Sequence, residues 1–277
     1  MDRRASLVFA LVACAHVSGK QGIPGGPCGP EIRGSADITA RWSIVMVGEL
    51  HGTHETPAAF GRLVCRAAER AYPAGVLVGL EIPRGDQAAI DAALAAADDE
   101  TARSRLLATT HFADEFHDGR DSEAMLALLL ELRRQRRAGL DIEVVAFDMD
   151  LAAFTPASDR DLEMARAFGE AIDAHPDTTV LAYAGNLHAR RRAAARLQRH
   201  PPMAERLLAD HPELVTLGFA SAGGSYWACE DDTCGVHQGQ GTDRGAEPFV
   251  ELSDEQGDAY DGFLYVGAIT ASAPAKP

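Results

Sequence analysis

An α/β domain is the fold this sequence predicts, with a parallel or mostly parallel central sheet and helices on both faces. A helical insertion is expected to lie as a lid over the carboxyl ends of the strands. Three observations point to this. Short, continuous apolar runs alternate with stretches of helical periodicity, the pattern of strands buried on both faces. Four of those runs end in titratable residues: Glu49 and His51, then Glu81, then Asp148, then His188. Residues 86–118 are helical in character but longer and less regular than a plain crossover needs.

The chain has 277 residues, enough for one large α/β domain or two small ones, and a formal net charge of −15. Such acidity argues against nucleic acid as a partner, because phosphate binding needs a basic face. At the N-terminus, Asp2-Arg3-Arg4 precedes a brief apolar stretch at 5–13, and Cys14 follows Leu11-Val12-Ala13. That is a signal peptide in outline, too short for a membrane span. The Leu-Val-Ala-Cys run also resembles the bacterial lipobox, whose Cys becomes lipidated. An ordinary signal cleaved at a neighbouring small residue is the alternative. The organisation expected is a signal peptide at 1–14, a Gly/Pro/Ser-rich tether at 15–41, one domain at 42–270 and a mobile Ala/Pro tail at 271–277. The location expected is the bacterial cell envelope through an N-terminal lipid anchor, or secretion. Export would leave Cys28, Cys65, Cys229 and Cys234, for which three pairings exist. A local Cys229–Cys234 disulfide suits an oxidising compartment. Cys65 lies on the apolar stripe of a helix and is either core or the partner of Cys28.

The first strand is the run at 43–47, which feeds Gly48-Glu49-Leu50-His51-Gly52-Thr53-His54-Glu55. A helix follows Pro57, with Phe60, Leu63, Val64 and Ala67 at helical spacing. The second strand, 76–80, ends in Glu81, and Pro83 stops it. In the insertion, Ile90 and Leu94 share a face of a helix at 87–97. His111 and His117 follow, read as surface histidines or as lid residues that touch a substrate. Gly119-Arg120-Asp121-Ser122 precedes a strongly apolar-faced helix at 123–138, with Asp121 or Ser122 as its cap. The third strand, 142–147, ends in Asp148 and Asp150. A helix at 159–174 leads to the fourth strand, 179–184, and so to Gly185-Asn186-Leu187-His188. Helices at 189–199 and 203–209, a strand at 215–220, an irregular polar stretch at 229–247 and a closing strand at 262–269 complete the pattern.

Turns distant in sequence meet in space when their strands are neighbours in one parallel sheet, and in open α/β sheets that is where ligands bind. His51, His188, Glu49 and Glu81 suit a divalent metal such as zinc, manganese or cobalt. A metal would lower the pKa of bound water and polarise a carbonyl. Without one, His51 could activate water, oriented by Glu49 or Glu81, with Arg84 or Arg120 steadying an oxyanion. No Gly-x-Ser-x-Gly elbow is present, which favours attack by water over a covalent intermediate.

The paired motifs Gly48-Glu49-Leu50-His51 and Gly185-Asn186-Leu187-His188 resemble those of the Tiki/TraB, ChaN-like and erythromycin-esterase-like superfamily. Glu81 matches that group's carboxylate after the second strand. Residues 119–125 and 260–268 look like its ChaN-like branch, and the resemblance spans roughly residues 42–270. It implies an α/β core with a helical insertion and a polar His/Glu cleft. Tiki-like members are metal-dependent proteases. Erythromycin-esterase-like members open a macrolactone with a His that activates water. ChaN-like members are lipoproteins linked to haem binding and iron uptake. Two functions are therefore expected. One is an envelope-anchored hydrolase of ester or amide bonds, acting on a small molecule or peptide. The other is a haem-binding lipoprotein without turnover, with His111, His117, His54 or Tyr226 as axial ligands.

Overall fold

The structure is a computed structural model. It describes residues 28–113, 117–150, 153, 155, 159–193, 200–230, 233–253, 257 and 259–276. The signal peptide, Cys14 and residues 15–27 of the expected tether lie outside the described residues. Among the described residues no helix is long and apolar enough to cross a membrane.

Nine strands and eight helices are present among those residues, in the order α1 (Ser35–Arg41), β1 (Ile44–Glu49), α2 (Glu55–Ala71), β2 (Val76–Pro83), α3 (Gln87–Leu94), α4 (Asp99–Leu106), α5 (Thr110–Ala113), α6 (Glu123–Arg137), β3 (Ile142–Asp148), α7 (Arg160–Asp173), β4 (Thr179–Gly185), α8 (Met203–Leu207), β5 (Leu214–Ala220), β6 (Gly223–Glu230), β7 (Thr233–Gln240), β8 (Phe249–Leu252) and β9 (Gly262–Tyr265). Seven strands form one sheet in the order β3-β2-β4-β1-β5-β9-β8, parallel except for β8 against β9. Strands β1 and β2 are buried at every position. That burial explains why they read as unbroken apolar runs instead of alternating.

Between β1 and β5 the strand order reverses once. From β1 the chain steps outward past β4 to β2 and on to β3; from β3 it steps back to β4 and over β1 to β5. Crossovers of one hand then place their helices on opposite faces. The two large core clusters follow this division. Phe60, Leu63 and Val64 of α2 join Leu128 and Leu132 of α6 against Val45, Val47 and Val78. Met164 and Phe168 of α7 join Met203 and Leu207 of α8 against Ile44, Met46 and Leu77. Phe60 is fully buried, and Phe60→Ala would cost about 3–5 kcal/mol. Neighbouring β1 and β4 send their connections to opposite faces, so a crevice opens at their carboxyl ends. Both Gly-x-x-His motifs begin there.

The insertion divides in two. Ile90, Ala93 and Leu94 of α3 and Ala102 and Leu106 of α4 belong to the core on the α2/α6 face, so this part is a wall of the sheet. Among the described residues, its later part supports the Arg120 segment: His111 Nε2 lies 3.1 Å from the Arg120 carbonyl oxygen. Asp86 caps α5, accepting from the backbone N–H groups of Thr110 and His111.

Four expectations need correction. The tether is structured from Cys28 onward, because a Cys28–Cys65 disulfide, α1 and a backbone bond from Val250 N–H to Arg33 O tie it down. The tail is held through Ala275: Ser272 N–H donates to Gly52 O, Ala273 O accepts from Glu123 N–H, and Ala275 N–H donates to Asp121 O. Of the stretch read as irregular, the part up to Gln240 belongs to the β6–β7 hairpin, closed by a Cys229–Cys234 disulfide, and residues 241–247 are irregular as expected. Strand β7 has no buried residue, so it lacks the apolar signature of a strand. Residues 189–193 are not helical, and the rest of that expected helix lies outside the described residues.

Candidate active site

The four strands whose ends carry titratable groups are contiguous in the sheet, as β3-β2-β4-β1. Their carboxyl ends therefore form one row. Glu49 ends β1 and is buried. One of its oxygens lies 2.8 Å from His51 Nδ1, and the other accepts from the buried Tyr183 hydroxyl at 2.5 Å. Phe60 packs on that phenol, ring centroids 4.7 Å apart, and fixes it from the core side. With Nδ1 bonded to Glu49, the Nε2 edge of His51 faces Gly185 in the second motif. A Cβ at Gly185 would lie 2.7 Å from that nitrogen and 3.4 Å from Glu81 Oε2. Gly185 is thus required for close approach.

Glu81 lies in the β2 end and is buried. Its Oε2 accepts from Gly185 N–H at 2.6 Å, and its Oε1 from Arg160 at 2.5 Å. Arg160 also forks onto Asp148, with Nε and Nη2 at 2.8 and 2.6 Å from the two oxygens. A third edge of the guanidinium donates to His188 Nε2 at 3.1 Å. The other nitrogen of His188 lies 2.8 Å from Asp161, which also caps the chain at Met203 N–H. Arg120 reaches in from the insertion side, paired with Asp118 and 3.4 Å from Asp148. His51, His188, Glu49, Glu81 and Arg120 therefore share one cleft.

Burial alone would strip His51 of its proton. The carboxylates of Glu49, Glu81 and Asp118 outweigh it and push the pKa up to about 9. Burial raises Glu81, but His188, His51, Arg160 and Arg120 overcome it and hold the carboxyl well below the usual range. His188 is opposed by burial and raised by Glu81 and Asp161. In the observed contact Arg160 donates to Nε2, so His188 is neutral there. A proton arriving at Nε2 would turn toward Glu81 Oε1, 3.8 Å away.

His111 and His117 differ from this pair and from each other. His111 is buried, edge-on to Phe112, and its pKa is lowered to about 4 by burial and then by Arg120. Its Nε2 supports the Arg120 backbone, so it is a buried residue and not a surface one. His117 bonds Asp121 through Nδ1 at 2.5 Å, and its carbonyl accepts from Trp227 Nε1. Arg84 is exposed. Tyr226 stacks on His237, and His54 is exposed at the start of α2.

Sequence reasoning missed Arg160, Asp161 and Tyr183. A signal for Arg160 existed: a cation in the first turn of a helix opposes the dipole and needs a compensating charge. Tyr183 carried none, because a phenol inside an apolar strand reads as core.

The candidate metal ligands were tested as a donor set. Both Glu49 oxygens, both Glu81 oxygens and His188 Nε2 already have partners, leaving the Nε2 edge of His51. Among the described residues no group of three or more His, Cys, Asp or Glu side chains converges to hold a metal ion. As arranged, the residues do not fit a metal.

No protein-family model matches the chain, and no curated protein is similar to it in sequence. Solved structures are similar in fold. An erythromycin esterase EreC mutant in its open conformation matches 87% of this chain and 94% of its own, with a TM-score of 0.65 and 12% identity. A protein from Bacillus cereus matches 87% and 92%, with a TM-score of 0.63 and 11% identity. A succinoglycan biosynthesis protein matches 86% and 90%, with a TM-score of 0.60 and 9% identity. ChaN of Campylobacter jejuni reaches a TM-score of 0.39 at 8% identity, over 67% of this chain and 84% of its own, too low to carry an argument. The chain has the fold of the erythromycin-esterase-like structures, as the paired Gly-x-x-His motifs imply.

Proposed function

We propose that this chain is a hydrolase of ester or amide bonds in which His51 activates water. One observation carries the reading: Glu49 holds His51 by Nδ1 and leaves Nε2 directed into a cleft shared with His188, Glu81 and Arg120. Nε2 takes a proton from water, and the hydroxide attacks the substrate carbonyl. Arg120 steadies the oxyanion, and the protonated His51 returns its proton to the leaving oxygen or nitrogen, while His188, held by Asp161 and Arg160, lines the cleft beside them. The erythromycin-esterase neighbour supports hydrolysis as the reaction class.

Haem carriage is the other reading; the contact of His111 Nε2 with the Arg120 carbonyl oxygen favours the hydrolase over it. A place in the cell envelope, anchored at Cys14, is also our proposal; the two disulfides support an oxidising compartment.

The test is a panel of chromogenic esters and anilides, assayed with wild type, His51→Ala and His188→Ala. Hydrolysis that falls at least 100-fold in both variants supports the reading. Equal residual rates in all three proteins sink it.

A further inference from the structure

We propose that Arg160 is the resident cation of this cleft, holding the position and charge role that a divalent metal would otherwise have. The inference deepens the hydrolase reading and rests on it for its catalytic meaning. Its test does not, because metal binding is read without substrate.

Glu81 and Asp148 are two buried carboxylates at neighbouring strand ends, with side chains 4% and 3% exposed. Buried carboxylates need a cation or a full set of donors. Arg160 supplies both. A guanidinium has five N–H donors in a fixed plane. Here one meets each oxygen of Asp148, one meets Glu81 Oε1 and one meets His188 Nε2, so four of the five are used. These partners are two carboxylates and an imidazole, the residue types that ligate zinc, manganese or cobalt. A metal binding to them would have to displace the guanidinium.

The placement of Arg160 supports the same conclusion. It is the first residue of α7, where the helix dipole disfavours a cation. The carboxylates across the strand ends offset that cost. Lysine would keep the charge and lose the planar fork.

The experiment uses protein dialysed against chelator and titrated with zinc, manganese and cobalt by calorimetry, with Tm followed in parallel. The wild type is expected to bind no stoichiometric ion at 100 µM and to shift Tm by less than about 1 °C. Arg160→Ala leaves Glu81, Asp148 and His188 around an open space. It is expected to lose stability and regain about 5 °C with at least one ion. The Arg160→Ala/Glu81→Gln variant should lose that response. Arg160→Lys should stay unresponsive like the wild type, and it keeps the proposal testable if Arg160→Ala does not fold. One equivalent of ion bound by the stripped wild type overturns the proposal, as does a folded Arg160→Ala protein with no response to any ion. Loss of hydrolysis without metal binding would touch only the hydrolase reading.

Discussion

The imidazole of His51 lies directly over Gly185, so close that a Cβ on Gly185 would sit 2.7 Å from Nε2. The histidine of the first motif thus uses the glycine of the second as its floor. Gly185 N–H also donates to Glu81 Oε2, which fixes the carboxylate beside the ring. Gly185→Ala is expected to displace His51 from the cleft while the sheet stays paired. Hydrolysis should fall about 100-fold, since misplacement of about 1 Å costs that much. Far-UV dichroism should remain that of the wild type; unfolding would instead assign Gly185 to stability.

The pH profile follows from His51. Its pKa of about 9 means that the base form is scarce at neutral pH and grows as pH rises. For the free enzyme, kcat/KM should climb through pH 9 and then level off. Glu49→Gln removes the largest charge holding the proton, so the midpoint should move down, while the plateau drops about 100-fold or more as the ring loses its orientation.

Stability has the opposite sign. The folded pKa of His51 lies above its unfolded value, 6.5. Its contribution is therefore complete below pH 6.5 and is lost as pH rises through about 9. The Tm difference between wild type and His51→Asn should narrow across that window. A constant difference from pH 6 to 10 would count against a raised His51.

Much of this arrangement was legible in the residues. Glu49, Glu81, Asp148 and His188 each follow an apolar run, and such runs mark buried parallel strands. Their meeting needed only that the strands be neighbours, which the order β3-β2-β4-β1 provides. Arg160 and Asp161 follow a stretch with no periodic pattern, so nothing local ties them to Glu81 or His188. The β6–β7 hairpin was hidden for another reason. It is held by backbone bonds, such as Trp227 N–H to Gly52 O, that leave no trace in side-chain patterning. The tail through Ala275 is fixed in the same way, which is why an Ala/Pro composition misled.

The two disulfides should differ in weight. Cys28 and Cys65 are 37 residues apart, Cys229 and Cys234 only 5. Loop-closure entropy assigns about 4 kcal/mol to the first and about 2 kcal/mol to the second. Paired Cys→Ser variants, compared by urea unfolding, should follow that order. The reverse order would mean that the Cys229–Cys234 bridge acts mainly by holding Trp227 against Gly52 and His117.

Tyr183 offers the narrowest check on how His51 is set. Its hydroxyl donates to one Glu49 oxygen while His51 Nδ1 sits on the other, so the phenol draws on the same charge that holds the imidazole. Burial, and then Glu49, raise the Tyr183 pKa well above its usual value, so the hydroxyl stays a donor throughout the working range. Tyr183→Phe keeps the ring that packs on Phe60 and removes only the donor. Glu49 should then pull harder on the His51 proton, and the His51 midpoint should rise above about 9. A titration of the His51 ring carbon by NMR reads this directly, without substrate. A midpoint that stays put or falls would show that Tyr183 only fills space beneath Glu49.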